Sequence, residues 1–141
     1  MAENTFKLHI VTPDKSFYDD EVSRVMFKST EGDIAVLYDH IPLTTTLVSG
    51  MAIIYKDNKE YPAVLHGGFA EIKEESVTIL SDAAEWPDDI DLDRANAAKE
   101  RAQSRSQEQE EQISQARVNA SLMRAVARID LLEYHKNKSN E

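Results

Sequence analysis

The sequence of 141 residues contains no cysteine. This absence excludes disulfides, zinc–thiolate sites and thiol catalysis, and it is compatible with a reducing compartment. No run of about 18 apolar residues occurs, so no segment is predicted to span a bilayer, and the polar start lacks the apolar core of a signal peptide. We therefore expect a soluble, cytoplasmic protein without direct membrane insertion.

Basic residues are also scarce. Sixteen Lys and Arg face 26 Asp and Glu, which gives a net charge of −10. This negative charge is unevenly distributed, because the net charge is −8 over residues 1–87 and −2 over residues 88–141. Nucleic acid and anionic membrane surfaces both require a net basic face, so neither is predicted as the main partner.

Recognisable catalytic patterns are missing as well. The four histidines show no spacing typical of a metal site, and neither a glycine-rich phosphate loop nor a nucleophile elbow is present. We therefore predict no catalytic residue and no metal site. Gly67-Gly68 is interpreted as a tight hairpin or bulge rather than a ligand cradle.

Short β-type runs fill the first part of the sequence, separated by turn residues. Their spacing predicts an antiparallel sandwich or barrel. The runs cover residues 6–12, 22–28, 33–38, 43–48, 51–56, 60–65, 69–73 and 77–80. The predicted core is Leu8, Ile10, Val25, Phe27, Val36, Leu47, Ile53, Val64, Phe69, Ile72, Val77 and Ile79.

A loop with mixed polar and apolar residues follows the third run. It contains Tyr38, Asp39, His40, Ile41 and Pro42. One interpretation is a turn whose apolar side chains fold inward. The other is a docking loop, because apolar and aromatic groups at a loop tip suit a protein interface.

Beyond Ile90 the sequence has neither Gly nor Pro, and helix-forming residues dominate. The composition change predicts two parts, residues 1–87 and residues 88–141. Asp91 is the expected N-cap of a first helix. A polar stretch at residues 104–111 is the expected break before a second helix at about residues 111–134, although one continuous helix is an alternative state. The second helix is apolar over so wide an arc that it requires more than one packing neighbour.

Arginines repeat with the same spacing in both predicted helices. Each trio falls within roughly 40° of one helix face at about 100° per residue. Two interpretations stay open: arginines that are solvated or paired with carboxylates of another chain, and a polyphosphate site that binds a nucleotide without hydrolysing it. The trios are Arg94, Arg101 and Arg105, and Arg117, Arg124 and Arg128.

Five short motifs, in this order, resemble the bacterial epsilon subunit of the F-type ATP synthase. They are Val11-Thr12-Pro13-Asp14, the segment 32–37, His40-Ile41-Pro42-Leu43, Gly67-Gly68-Phe69 and Ile90-Asp91-x-x-Arg94-Ala95. The resemblance implies a two-part fold, an N-terminal antiparallel β-sandwich of about ten strands followed by a C-terminal two-helix antiparallel hairpin. It also implies a noncatalytic central-stalk rotor subunit, peripheral on the cytoplasmic face of the bacterial membrane.

The same resemblance implies partners and residue roles. The sandwich would pack on the gamma subunit and touch the ring of c subunits through the loop Tyr38, Asp39, His40, Ile41 and Pro42. The compact hairpin would bind ATP as a regulatory ligand, with no cofactor required, through Glu85, Asp91, Arg94, Arg101, Arg124 and Arg128. The extended helices would reach the alpha and beta subunits and inhibit ATP hydrolysis through Arg105, Arg117, Arg124 and Arg128.

Overall fold

A computed structural model of the chain describes residues 4–107 and 112–139. Ten strands precede the helices in this part of the chain. They are β1 Phe6–Val11, β2 Ser16–Val22, β3 Arg24–Ser29, β4 Gly32–Leu37, β5 Leu43–Thr46, β6 Gly50–Lys56, β7 Lys59–His66, β8 Phe69–Ile72, β9 Ser76–Leu80 and β10 Ala83–Glu85.

The strands form two five-stranded sheets. The first has the order β2-β1-β9-β8-β5 and the second the order β10-β7-β6-β3-β4. Neighbouring strands run antiparallel except β1 and β9, which pair in parallel. Side chains from both sheets meet in one core that includes Leu8, Ile54 and Ile79. The predicted β-sandwich of about ten strands is confirmed.

The sequence pattern missed two strands, β2 and β10, and both lie at sheet edges. In β2 the acidic residues Asp19, Asp20 and Glu21 occupy outward or edge positions, and only Phe17 and Val22 are buried. β10 has three residues, too few to show an alternation. A half-exposed edge strand therefore carries little of the apolar signal on which the prediction depends.

One predicted core residue is wrong. Phe69 is 43% exposed, whereas the other eleven are buried. Side chains alternate across a strand, and in β8 the buried positions are Ala70 and Ile72. Phe69 therefore shares the outer face with Glu71, and it cannot enter the core together with Ile72.

The prediction for Gly67-Gly68 is also wrong. These residues connect β7 to β8, which belong to different sheets, so they form neither a hairpin nor a bulge. Gly68 has a φ of 99°, and a Cβ atom there would lie 1.9 Å from the carbonyl oxygen of Leu80. Glycine allows the chain to cross closely over β9 as it changes sheets.

A turn of 3-10 helix, Pro87–Asp89, leads into α1, Leu92–Gln107, and α2 follows as Gln112–Ser139. Asp91 caps α1 as predicted, since its Oδ1 accepts a hydrogen bond of 3.2 Å from the amide of Arg94. Helix α1 continues through residues 104–107 of the predicted break, and residues 108–111 lie outside the described residues. Helix α2 runs five residues beyond the predicted end at Tyr134.

Helix α2 packs against two neighbours, as its wide apolar arc predicts. Ala95 and Ala102 of α1 are buried together with Val118 and Ala125 of α2. On the sandwich side, Ala127 and Leu131 form a buried cluster with Val64 of β7, flanked by Met51 and Ile90. The hairpin is therefore folded onto the second sheet. Neither described helix is long and apolar enough to cross a membrane.

Candidate functional site

A hydrogen-bonded chain ties α2 to the sandwich. The Oε1 atom of Glu85, on β10, accepts a hydrogen bond of 2.7 Å from Nε of Arg128. The same oxygen lies 2.8 Å from Nε2 of His66, on the adjacent β7. His66 is buried, and its Nδ1 lies 3.4 Å from Oγ of Ser49. We call Glu85, His66 and Arg128 the anchor.

The anchor perturbs the ionisation of Glu85. The hydrogen bond from His66 lowers the pKa of this carboxyl below its ordinary value of 4.5, and Arg128 lowers it further, whereas burial opposes both. Hydrogen bonds and opposite charge favour the ionised form, and here they outweigh desolvation. Glu85 is therefore a carboxylate at neutral pH.

Beside the anchor lies a cleft of about 400 Å³, which we call the arginine cleft. Its volume is within the range of about 300 to 1,000 Å³ that small-molecule sites occupy. It is formed by the end of β10, the segment before α1, the first turns of α1 and one side chain of α2. The charged lining residues are Glu85, Asp89, Asp91, Arg94, Arg101 and Arg128.

The cleft brings together five of the six residues predicted to bind a nucleotide. Arg124 is the exception, because it does not line the cleft and its guanidinium donates a hydrogen bond of 3.1 Å to Oγ of Ser121. Arg128 is one helical turn further on, and it points to β10. The convergence of Arg94 and Arg128 on one cleft also shows that α1 and α2 run antiparallel.

Arg94 and Arg101 are the cleft's available cations. Within residues 4–107 and 112–139 neither makes an ion pair, whereas Arg128 is held by Glu85. Of the acids, Asp91 accepts from the amide of Arg94. Guanidinium groups offer forked donors that match phosphate oxygens. The arrangement is suited to binding an anion between the two helices.

The two arginine rows do not face each other over their whole length. Arg105 and Arg117 are exposed to solvent and neither lines the cleft. Only Arg94, Arg101 and Arg128 meet at one place. The equal spacing predicted the faces of the helices, but the rotation of each helix about its axis is determined by which alanines and leucines are buried.

The loop between β4 and β5 presents its apolar residues to solvent. Ile41 is 85% exposed and Tyr38 is 49% exposed, so the inward-folding interpretation is wrong. His40 is partly buried and meets Phe6 edge to face at 5.3 Å between ring centroids. Asp39 has a φ of 62°, which produces the sharp turn. The use of this loop for docking remains a prediction.

Sequence reasoning missed a second attachment near the end of α2. The hydroxyl of Tyr134 donates a hydrogen bond to Oε2 of Glu60, on β7, and Nζ of Lys138 lies 3.7 Å from the same oxygen. It also missed His66. No local pattern signals these contacts, because each joins residues that are distant in sequence.

These features define a class of protein, a β-sandwich that carries a folded-back helical hairpin. Two family models cover nearly the whole chain. The model described as "ATP synthase, Delta/Epsilon chain, beta-sandwich domain" matches residues 5–87. The model described as "ATP synthase, Delta/Epsilon chain, long alpha-helix domain" matches residues 88–133.

Curated relatives give the same result. An "ATP synthase epsilon chain" of Caldanaerobacter subterraneus subsp. tengcongensis is 41% identical over 92% of this chain and 94% of the relative. An "ATP synthase epsilon chain, sodium ion specific" of Acetobacterium woodii is 47% identical over 74% of this chain and 79% of the relative. The chain therefore belongs to the delta/epsilon family of ATP synthase subunits, among its bacterial epsilon chains, which confirms the resemblance.

Solved structures share the fold at low identity. A chain of the Euglena gracilis mitochondrial ATP synthase, solved with OSCP, F1 and the c-ring, matches with a TM-score of 0.80 at 21% identity, covering 90% of this chain and 81% of that one. A chain of the Tetrahymena thermophila mitochondrial ATP synthase, solved as central stalk and c-ring, has a TM-score of 0.63 at 12% identity, covering 94% and 99%.

Glu85→Gln is expected to lower the free energy of unfolding at neutral pH by about 1.5 to 3 kcal/mol, the usual contribution of a hydrogen bond to a charged group. Because the folded pKa of Glu85 is below its ordinary value of 4.5, this contribution is complete above pH 4.5 and is lost as the pH falls through the lowered pKa. Urea unfolding followed by circular dichroism across this range measures it.

Glu71→Gln is the matched control. Glu71 is exposed on β8, and its Oε1 lies 3.1 Å from Nζ of Lys73. Strand β8 belongs to the first sheet, whereas α2 packs on the second. Glu71→Gln is expected to change the free energy of unfolding by no more than about 0.5 kcal/mol. If the difference in free energy of unfolding between wild type and Glu85→Gln were the same in acid as at neutral pH, the role given to the Glu85 charge would be contradicted.

Proposed function

We propose that this chain is the noncatalytic central-stalk rotor subunit of an F-type ATP synthase, that it couples rotation to ATP synthesis, and that its helical hairpin restrains ATP hydrolysis. In this proposal ATP is a regulatory ligand that holds the hairpin in its compact arrangement. The subunit is peripheral to the membrane on its cytoplasmic face. The chain's membership among the epsilon chains supports its role as a rotor subunit. The arginine cleft supports the role of ATP as a regulatory ligand.

The single observation that carries the regulatory part is the convergence of Arg94, Arg101 and Arg128 beside Glu85. These residues come from both helices and from the sandwich, so the cleft exists only when all three elements are together. A ligand shifts a conformational equilibrium only by its differential affinity for the two states. ATP bound here therefore stabilises the compact arrangement over any arrangement in which α2 has left β7.

In the extended arrangement the released arginines meet the alpha and beta subunits. Arg105, Arg117 and Arg124 are exposed even in the compact arrangement. When α2 leaves the sandwich, Arg128 also loses its ion pair with Glu85. Carboxylates on the partner subunits would pair with this basic row. The inhibitory contacts and the anchor therefore compete for helix α2.

A second candidate is the same subunit without nucleotide sensing. Its support is specific, because Arg128 already donates to Glu85, and the buried Val64, Ala127 and Leu131 also hold α2 on the sheet. In that case the arginines serve only contacts between subunits. Titration with ATP separates the two candidates.

Docking to the rotor is assigned to the β4–β5 loop in this proposal. Tyr38, Asp39, His40, Ile41 and Pro42 form a tip whose apolar groups are exposed, which suits contact with the ring of c subunits. The sandwich packs on the gamma subunit. Helix α2 packs on β6 and β7, which β3 separates from β4 in the second sheet, so docking through the loop leaves the hairpin accessible to the alpha and beta subunits.

Isothermal titration calorimetry with ATP tests the cleft. Arg94→Ala is expected to weaken binding about 10- to 150-fold, the loss of one charge-assisted hydrogen bond, without breaking the anchor. Arg128→Ala is expected to weaken it at least as much, because it removes a phosphate donor and the anchor together. Arg117→Ala, exposed on the same helix, is the control and should bind as the wild type.

The effect of Arg124→Ala decides whether Arg124 joins the site when ATP is bound. Binding that is unaffected by Arg94→Ala and Arg128→Ala would sink the residue assignment. No heat of binding at millimolar ATP in the wild type would instead favour the subunit without nucleotide sensing.

Ile41→Asp tests the docking loop. The side chain is 85% exposed, so the change is expected to leave the folded chain intact and stable within about 0.5 kcal/mol, while burying a charge at the docked interface weakens association with the rotor. Co-purification with the gamma subunit and c-ring measures it, with Leu92→Asp as a control at a distant exposed leucine. Normal co-purification of Ile41→Asp would refute this use of the loop.

A further inference from the structure

A second cleft, of about 750 Å³, lies between the end of α2 and the sandwich. It is formed by the β6–β7 turn and the start of β7, by residues 86–88, and by the last turns of α2. It shares no lining residue with the arginine cleft, although the two adjoin the same segment of chain. Its volume is in the range of small-molecule sites.

Aromatic rings and prolines make up the walls of this cleft, which we call the aromatic cleft. Tyr61, Trp86 and Tyr134 line it together with Pro62 and Pro87. Flat apolar walls of this kind suit a planar ligand, because aromatic groups prefer stacked or edge-to-face contact with centroids about 4.5 to 7 Å apart.

Two of the three rings, Trp86 and Tyr134, are held in place before any ligand arrives. Trp86 stacks on Phe17 at 4.4 Å between ring centroids and meets Tyr18 edge to face at 6.3 Å. The hydroxyl of Tyr134 is fixed by Glu60. A site whose side chains are already ordered loses less entropy on binding.

The charges around the aromatic cleft balance. The carboxylate of Glu60 accepts a hydrogen bond from Tyr134 and forms an ion pair with Lys138. Lys59 and Asp88 add one charge of each sign, and neither makes an ion pair with another described residue. The lining of the arginine cleft also carries equal numbers of acids and arginines, but there the guanidinium groups of Arg94 and Arg101, unpaired among the described residues, favour an anion, whereas the aromatic cleft has one such unpaired charge of each sign. The ligand that fits is uncharged, apolar on its faces, and able to accept or donate hydrogen bonds at its edge.

We propose that the aromatic cleft is a binding site for an uncharged planar aromatic or heteroaromatic small molecule, distinct from the arginine cleft. Because Tyr134 belongs to α2 whereas Tyr61 belongs to β7, occupancy also stabilises the compact arrangement of the hairpin. This regulatory consequence rests on the function proposed above, whereas the binding itself does not.

Nuclear magnetic resonance of the full-length chain tests the binding, with indole as the probe. Trp86 is the only tryptophan and it lines the cleft, so in isotope-labelled protein its side-chain N–H gives one assignable reporter signal. Indole is expected to shift this signal saturably. Cyclohexanol, similar in polarity but not planar or aromatic, is expected to shift it far less.

Matched tyrosine variants locate the site. Tyr61→Ser is expected to weaken indole binding about 2- to 12-fold, the loss of one aromatic contact, while Tyr38→Ser, a comparably exposed tyrosine in the β4–β5 loop, leaves it unchanged. No saturable shift at millimolar indole, an equal response to cyclohexanol, or unchanged affinity in Tyr61→Ser would each overturn the proposal.

Titration of the same sample with ATP distinguishes this proposal from the previous one. Retention of ATP binding while indole fails to bind would sink the aromatic cleft alone. Indole binding without ATP binding would sink the nucleotide site and leave the aromatic cleft standing.

Discussion

The hydrogen bond between Arg128 and Glu85 joins the hairpin to the sandwich at the point where the arginine cleft forms. It joins side chains 43 positions apart in the sequence, one on α2 and one on the edge strand β10. Buried His66 holds the same carboxylate oxygen from β7. A single oxygen therefore connects the helix, the edge strand and its neighbour, and the arginine cleft is built beside it.

This contact matters because little apolar surface holds α2 on the sandwich. Val64, Ala127 and Leu131 are its fully packed cluster, and burial of a valine or leucine side chain contributes about 1.5 to 3 kcal/mol. One charge-assisted hydrogen bond is of comparable size, about 1.5 to 3 kcal/mol. The hairpin is thus attached by a few terms of similar magnitude, and a ligand or partner subunit with modest differential affinity can change its position. A sandwich with its own large buried core and a hairpin attached through a smaller cluster suits the proposed function, in which one part docks and the other regulates.

Local patterns predicted the parts of the fold that depend on local physics. Alternation in the strands located most of the sandwich, and Asp91 was correctly identified as the cap of α1, since both follow from a few adjacent residues. Phe69 was misplaced because the alternation was not carried through β8. The spacing of the arginines predicted their helix faces, but not that Arg128 would meet Glu85 while Arg124 turned to Ser121. That outcome depends on how α2 is rotated on the sheet, which the burial of residues far apart in sequence decides.

Whether ATP changes the position of α2 relative to the sandwich is the most direct test of the proposed regulation. The absence of native cysteine allows spin labels at Glu71→Cys on β8 and Lys136→Cys on α2 without background labelling, and both positions are exposed. Double electron–electron resonance on the assembled ATP synthase then gives the distribution of distances between the two spin labels. ATP is expected to enrich one narrow population, that of the folded-back hairpin, and Arg94→Ala is expected to raise the ATP concentration that this requires by about 10- to 150-fold. A distribution that is the same with and without ATP would contradict the proposed regulation.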